Sequence, residues 1–169
     1  MYRKRWLRQL VQHDATKRNV ILLLHQDMLI RRIAEADAEA IYKLSEQLGY
    51  SISIEETQEN IRQINLNPAH IAFVALIHDK IIGWIHLQQT LYLESPSFVE
   101  IVGLIIDKKQ RRHGIGKQLV QHAINWAGEK HSFTVRVRSN IKRKESHDFY
   151  KAIGFVEIKE QKVYELINK

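Results

Sequence analysis

The sequence predicts a mixed α/β fold in one domain, with a central, mostly antiparallel sheet, and three observations carry that prediction. From residue 28 onward, short runs patterned like strands alternate with stretches whose apolar residues recur at helical spacing. Two of the strand runs are separated by a turn short enough for a hairpin, which makes that pair antiparallel. At 169 residues the chain can bury most of its surface around one core, so a second full domain is not expected.

The elements follow in order. Met28-Leu29-Ile30-Arg31-Arg32-Ile33 is a short apolar-rich strand leading to Ala36-Asp37, where Asp37 is suited to cap a helix. Ile41, Leu44 and Leu48 lie at helical spacing, and Gly49 stands where a C-terminal glycine releases the chain. Ser53-Ile54-Glu55-Glu56 has the capping-box pattern of a second helix, with Ile61 and Ile64 as its apolar stripe and Asn67-Pro68 as its stop. Strands over 70–78 and 81–91 meet at Asp79-Lys80 as a hairpin. After the turn cluster Glu94-Ser95-Pro96-Ser97, residues 98–107 form an apolar run broken only by Glu100, Gly103 and the closing Asp107, and such low polarity predicts a central strand. Ile115, Leu119, Val120, Ala123, Ile124 and Ala127 trace one face of a helix, and 133–138 alternates as a strand does. A helix over 145–153 ends at Gly154, and 155–158 with 162–167 read as a closing hairpin. No internal repeat interrupts this order.

With 44% hydrophobic and 27% charged residues, disorder is not expected. The absence of cysteine excludes a disulfide framework, a thiolate zinc site and a cysteine nucleophile, and it fits a reducing cytoplasm. The formal charge of +7 is uneven: residues 1–28 hold six cations against two acids, and the other 141 hold twenty against seventeen. An excess that small suits a domain gripping one polyphosphate cofactor and argues against a nucleic-acid surface. Residues 1–27 read as a basic N-terminal extension, whose Trp6, Leu7, Leu10 and Val11 suit an amphipathic helix; the domain proper is 28–169. No segment approaches the ~20 apolar residues of a membrane span. The nine histidines show no paired ligand spacing, so no metal is assigned.

Chemistry concentrates at Arg111-Arg112-His113-Gly114-Ile115-Gly116-Lys117, between a strand and a helix. The first N–H groups of a helix lack partners and its dipole favours anions, while glycine admits a phosphate close to the backbone. Three cations flank those amides. A solvated basic turn is the plainer account of the loop taken by itself. A Walker loop is excluded by its missing Lys-Ser/Thr, and a dinucleotide fingerprint by its missing third glycine.

This stretch resembles the GNAT superfamily of acetyl-CoA-dependent N-acetyltransferases, whose cofactor loop is (Arg/Gln)-x-x-Gly-x-(Gly/Ala), here Arg111-x-x-Gly114-x-Gly116. Supporting it are Leu104-Ile105-Ile106 upstream, and Ser139-Asn140, Arg143, His147-Asp148-Phe149-Tyr150 and Gly154-Phe155 downstream, in the family's order. Arg112 departs from the family's frequent glycine, and Lys108 from its frequent proline. The resemblance implies a six- to seven-stranded sheet, splayed in the middle and flanked by about four helices. It implies that the backbone of Leu104, Ile105 and Ile106 pairs with pantetheine, that Arg111, Arg112, His113, Gly114, Ile115, Gly116 and Lys117 cradle the pyrophosphate, and that Asn140 bonds the pantetheine arm. Tyr150 is then the general acid for the leaving thiolate.

The reaction so implied is direct acetyl transfer to a primary amine of a small molecule, peptide or protein. For the general base, Glu100 stands out as the lone carboxylate inside an apolar strand, and on an unbroken strand it shares a face with Val102, Leu104 and Ile106. A bulge near Gly103 would upset that parity. His86 is a reserve base. The rival reading is a non-catalytic acyl-CoA-binding or regulatory module that uses the basic extension on a partner or nucleic acid. Acceptor choice falls to the segment around 48–53 and the C-terminal hairpin, whose closing strands offer an edge for a homodimer.

Overall fold

Strand pairing follows chain order from Met28. The structure, a computed structural model, describes residues 28–50, 52–132 and 134–167, and the basic segment 1–27 lies outside them. Strands β1 (Met28–Arg32), β2 (His70–Ile77), β3 (Lys80–Tyr92), β4 (Ser95–Ile106) and β5 (Val135–Val137) form one sheet in the order β1-β2-β3-β4-β5. The first four run antiparallel and β5 alone lies parallel to its neighbour, β4. The hairpin between β2 and β3 turns on His78 and Asp79, one residue earlier than expected. Both hold positive φ (49° and 60°), the backbone form whose twist matches the flanking strands.

Helices α1 (Ala38–Glu46) and α2 (Ile54–Leu66) cover one sheet face through a core of Ile33, Ala38, Ile41, Ile61, Ala72, Val74 and Leu76. Helix α3 (Ile115–Glu129) meets the sheet through a different strand face, where the His122 ring tilts against Phe73 of β2. The expected capping box is present at α2: Ser53 Oγ accepts from Glu56 N at 3.1 Å, and Glu56 Oε2 accepts from Ser53 N at 2.8 Å. Two local expectations give way. Asp37 does not cap α1 with its side chain; it is buried, and its carboxylate takes two bonds from the Arg31 guanidinium (2.7 and 2.8 Å) and one from Ala34 N (2.8 Å). The bidentate pair with the guanidinium and the bond from Ala34 N orient the carboxylate toward those donors and away from the amides of the helix. On α3, Trp126 takes the buried position expected of Ile124, which stays exposed.

The described chain falls into two compact units, one ending at Val137 and the other beginning at Arg138. The second holds α4 (Lys144–Ala152) and an irregular C-terminal stretch. The sheet thus has five strands among the described residues rather than six or seven, because 155–158 and 162–167 form no ladder. The physical reason is local. Between them lies Lys159-Glu160-Gln161, which has no glycine or asparagine for the positive φ of a tight hairpin.

Candidate active site

The basic loop is shaped by its backbone before its charges matter. Asp107 N donates to Ile82 O (2.8 Å), which fixes the end of β4, and the Asp107 carboxylate accepts from Lys109 N (3.0 Å), capping a 3-10 turn over Lys108–Gln110. Gln47 Oε1, at the end of α1, accepts from Lys108 N (3.1 Å). The chain then turns through Arg112 at φ 66° and Gly114 at φ 79°, both left-handed, and α3 begins at the buried Ile115. No acid lies in the first turn of α3, so nothing there opposes an anion at its amides. Arg112 and Lys117 are exposed, while Arg111 is half-buried and donates through Nε to Ile106 O at 3.3 Å. His113 turns inward, with Nδ1 3.2 Å from Gln110 O, so its ring supports the loop.

Beside this loop the sheet opens. The β4–β5 ladder comprises only Val99–Val135, Glu100–Arg136 and Ile101–Val137, whereas β4 runs on to Ile106. Leu104, Ile105 and Ile106 therefore have β3 along one side and, among the described residues, no strand along the other. Backbone groups left on that side can pair with an extended polar ligand.

Between β3 and β4 the register jumps: Gly103 pairs with His86 and Ile101 with Leu87, leaving Val102 as a one-residue bulge that is 50% exposed. The bulge reverses the parity of an unbroken strand. Glu100, Gly103 and Ile105 share the face of Gln88, His86 and Trp84, and Leu104 and Ile106 lie on the other. An atom built at the Cβ position of Gly103 would come 2.7 Å from Cζ3 of Trp84, which puts that ring directly over the glycine. Glu100 is only 8% exposed.

On the same face, His70 of β2 reaches His86: Nδ1 of the first lies 3.0 Å from Nε2 of the second, and the rings stack at 5.2 Å. Burial, assisted by the nearby His70 charge, pushes His86 down to about 4, and burial lowers His70 as well. Both histidines line a groove of about 600 Å³ with Asn60, Gln63 and Ile64 of α2. His70 was not singled out by sequence reasoning. The signal lies in the hairpin: a turn at residues 78 and 79 brings position 70 beside positions 86 and 88.

The second unit carries the remaining two expected site residues. Asn140 organises the turn before α4: its Oδ1 accepts from Lys142 N (2.9 Å), and its carbonyl accepts from Arg143 N (2.9 Å) and lies 3.0 Å from His147 Nε2. Tyr150 sits between Phe149 and Phe155, with centroids at 5.1 and 5.4 Å. Burial pushes its phenol up to about 12, against a smaller opposing pull from Arg143.

Comparison with known proteins meets this geometry. Residues 38–155 match the model of the acetyltransferase (GNAT) family. The aminoalkylphosphonate N-acetyltransferase of Salmonella typhimurium is 25% identical over 128 residues, spanning 75% of this chain and 83% of that protein. Among solved structures, the aminoglycoside N-acetyltransferase AAC(6')-Iy in complex with CoA superposes with a TM-score of 0.75 at 20% identity, covering 82% of this chain and 94% of that one. The aminoglycoside 6'-N-acetyltransferase AAC(6')-Ih of Acinetobacter baumannii does so with a TM-score of 0.72 at 23% identity, covering 83% and 98%. With a family match that runs from the start of α1 through strands β2–β5 and α3 to the end of α4, the chain belongs to the acetyltransferase (GNAT) family.

Proposed function

We propose that this acetyltransferase moves an acetyl group from acetyl-CoA to the primary amine of a small molecule by direct attack, with no covalent enzyme intermediate. The observation that carries the reading is the side of Leu104, Ile105 and Ile106 that no described strand covers, beside a helix start ringed by Arg111, Arg112 and Lys117. One feature suits the amides of an extended pantetheine, the other its pyrophosphate. The names of the relatives, which act on aminoalkylphosphonates and aminoglycosides, favour a small amine as acceptor. The absence of cysteine favours a reducing compartment such as the cytoplasm.

In this reading Glu100 accepts the proton of the incoming ammonium, and a backbone N–H of the open β4 segment polarises the thioester carbonyl. Asn140 holds the pantetheine arm. Tyr150 supplies the proton to the departing thiolate; its raised value keeps it protonated at neutral pH, as an acid must be. The same burial makes it a reluctant donor, so transfer accompanies the growth of charge on sulfur rather than preceding it.

Calorimetric titration of acetyl-CoA, paired with thiol release in wild type and Tyr150→Phe, tests the proposal. The expected result is unchanged acetyl-CoA affinity in the variant with kcat lowered about hundredfold. Absence of binding to the folded wild type would sink it.

A further inference from the structure

Acetylation of an ammonium releases one proton per turnover. Two protons leave nitrogen, one departs on the thiol, and the other must reach solvent. Glu100 is the first acceptor in this reading, and a residue only 8% exposed has little direct access to bulk water. The base must nevertheless be emptied before the next cycle.

We propose that His86 and His70 form the proton exit from the buried face of the sheet to the groove beneath α2. This rests on the acetyl-transfer reading with Glu100 as base. Three placements support it. The Val102 bulge brings Glu100 onto the face of His86, on adjacent strands and one ladder step apart. The 3.0 Å contact joins His86 Nε2 to His70 Nδ1. Finally, both rings line the groove, whose volume of about 600 Å³ admits water between them and Asn60, Gln63 and Asn67.

The transfer balances atom by atom. A water carries the Glu100 proton to His86 Nδ1, where an N–H bond forms as the His86 Nε2–H proton passes to His70 Nδ1. His70 Nε2–H then breaks and releases its proton to groove water. Before the next cycle the pair returns to its starting tautomers by proton exchange with that water, which both rings line: His86 Nδ1–H gives a proton up, His70 Nδ1–H returns its proton to His86 Nε2, and His70 Nε2 takes one from water. Neither of those outer nitrogens, His86 Nδ1 and His70 Nε2, makes a hydrogen bond to a described residue, so each end of the relay is open. Neutral rings are required, since an imidazolium has no lone pair with which to receive. Burial supplies that state by lowering both histidines. From α2 the groove is lined by the neutral Asn60, Gln63, Ile64 and Leu66, so the titratable groups facing His86 are His70 and, along the sheet, Glu100. Among the described residues no third ligand joins the pair to make a metal site.

Thiol release from acetyl-CoA, with neamine and with 2-aminoethylphosphonate as probe amines, provides the test. It compares single turnover, with enzyme in excess, and multiple turnover. In His70→Ala, single turnover should keep the wild-type rate, because Glu100 starts empty, while multiple-turnover kcat drops roughly ten- to hundredfold at unchanged KM for acetyl-CoA. Imidazole added to the buffer should restore kcat by entering the vacated groove. His70→Gln, which fills the groove but carries no proton, should be as slow as His70→Ala. Unchanged kcat in both variants overturns the relay, and so does a loss that appears equally in single turnover and resists imidazole. Lack of thiol release by wild type with either amine is a different failure: it removes the acetyl-transfer reading and the relay with it.

Discussion

The loop before α3 and the ladder between β3 and β4 prepare chemistry by opposite means. In the loop, a contiguous run presents amides and cations to solvent, and the backbone largely sets the shape: Arg112 and Gly114 are both left-handed and exposed. In the ladder, residues up to thirty positions apart are brought to one face by strand register, and what they present is buried or half-buried and mostly neutral: Glu100, His86, Trp84 and the His70 that touches His86 from β2. Surface charge in the loop is inexpensive to hold, and buried polarity in the ladder requires a partner for each group. The loop should therefore be sensitive to bulk and backbone form, and the ladder to register and protonation.

The largest expected effect comes from filling the loop. Gly116→Trp puts an indole on the first turn of α3, where the anion is proposed to sit. Acetyl-CoA affinity should fall more than about hundredfold, or about 2.7 kcal/mol, with the melting temperature little changed. Calorimetry and a thermal melt together check this; equal binding by the variant would move the cofactor away from the loop.

The matching perturbation of the ladder is Gly103→Ala. Its new methyl would stand 2.7 Å from Cζ3 and 2.8 Å from Cη2 of Trp84, and an indole ring held against the α1 and α2 core has little room to yield. Destabilisation of about 1–3 kcal/mol is expected, as for overpacking elsewhere. Unlike the loop variant, it should lower stability and turnover together. Chemical denaturation gives the first and thiol release the second, and a stable, fully active variant would contradict the placement of Trp84.

These two glycines also show why one region could be read and the other could not. The loop motif is contiguous, so residue order alone carries its meaning, as it does for the Ser53–Glu56 capping box and the stop at Asn67-Pro68. The Val102 bulge leaves no such trace. The run from Phe98 to Ile106 is equally apolar with or without an extra residue, yet that residue decides which face Glu100 occupies. His70 was hidden for the same reason, since its meaning depends on a partner sixteen positions away. The C-terminal stretch shows the limit of alternation: Val156, Ile158, Val163 and Tyr164 have a strand's pattern, and all are exposed without a ladder to join.

Protonation offers a finer probe of the ladder. The His86 value when folded, about 4, lies below its ordinary 6.5, so between those values the unfolded chain takes up a proton that the folded chain refuses. Stability is then complete above about pH 6.5 and is lost as pH falls toward about 4. Other groups also titrate in this range, so the difference between wild type and His86→Gln is the quantity to follow. Urea midpoints at pH 7.5 and pH 5 should fall more steeply for wild type, and parallel losses would show that His86 is not held neutral by the fold.

The smallest effect returns to the loop and separates its shape from its charge. Arg112 occupies a left-handed conformation at φ 66°, where a side chain costs about 1–2 kcal/mol, and the family often has glycine there. Arg112→Gly relieves that strain but frees the unfolded chain by about 0.4–1 kcal/mol, so a net gain between about 0 and about 1.6 kcal/mol should remain. Arg112→Ala keeps the strain and loses the same cation. If both variants weaken acetyl-CoA equally while only the glycine gains stability, the arginine is retained for its charge at the expense of the fold. If only the alanine weakens binding, it is the loop's backbone form that the cofactor reads, and Arg111 and Lys117 supply the charge.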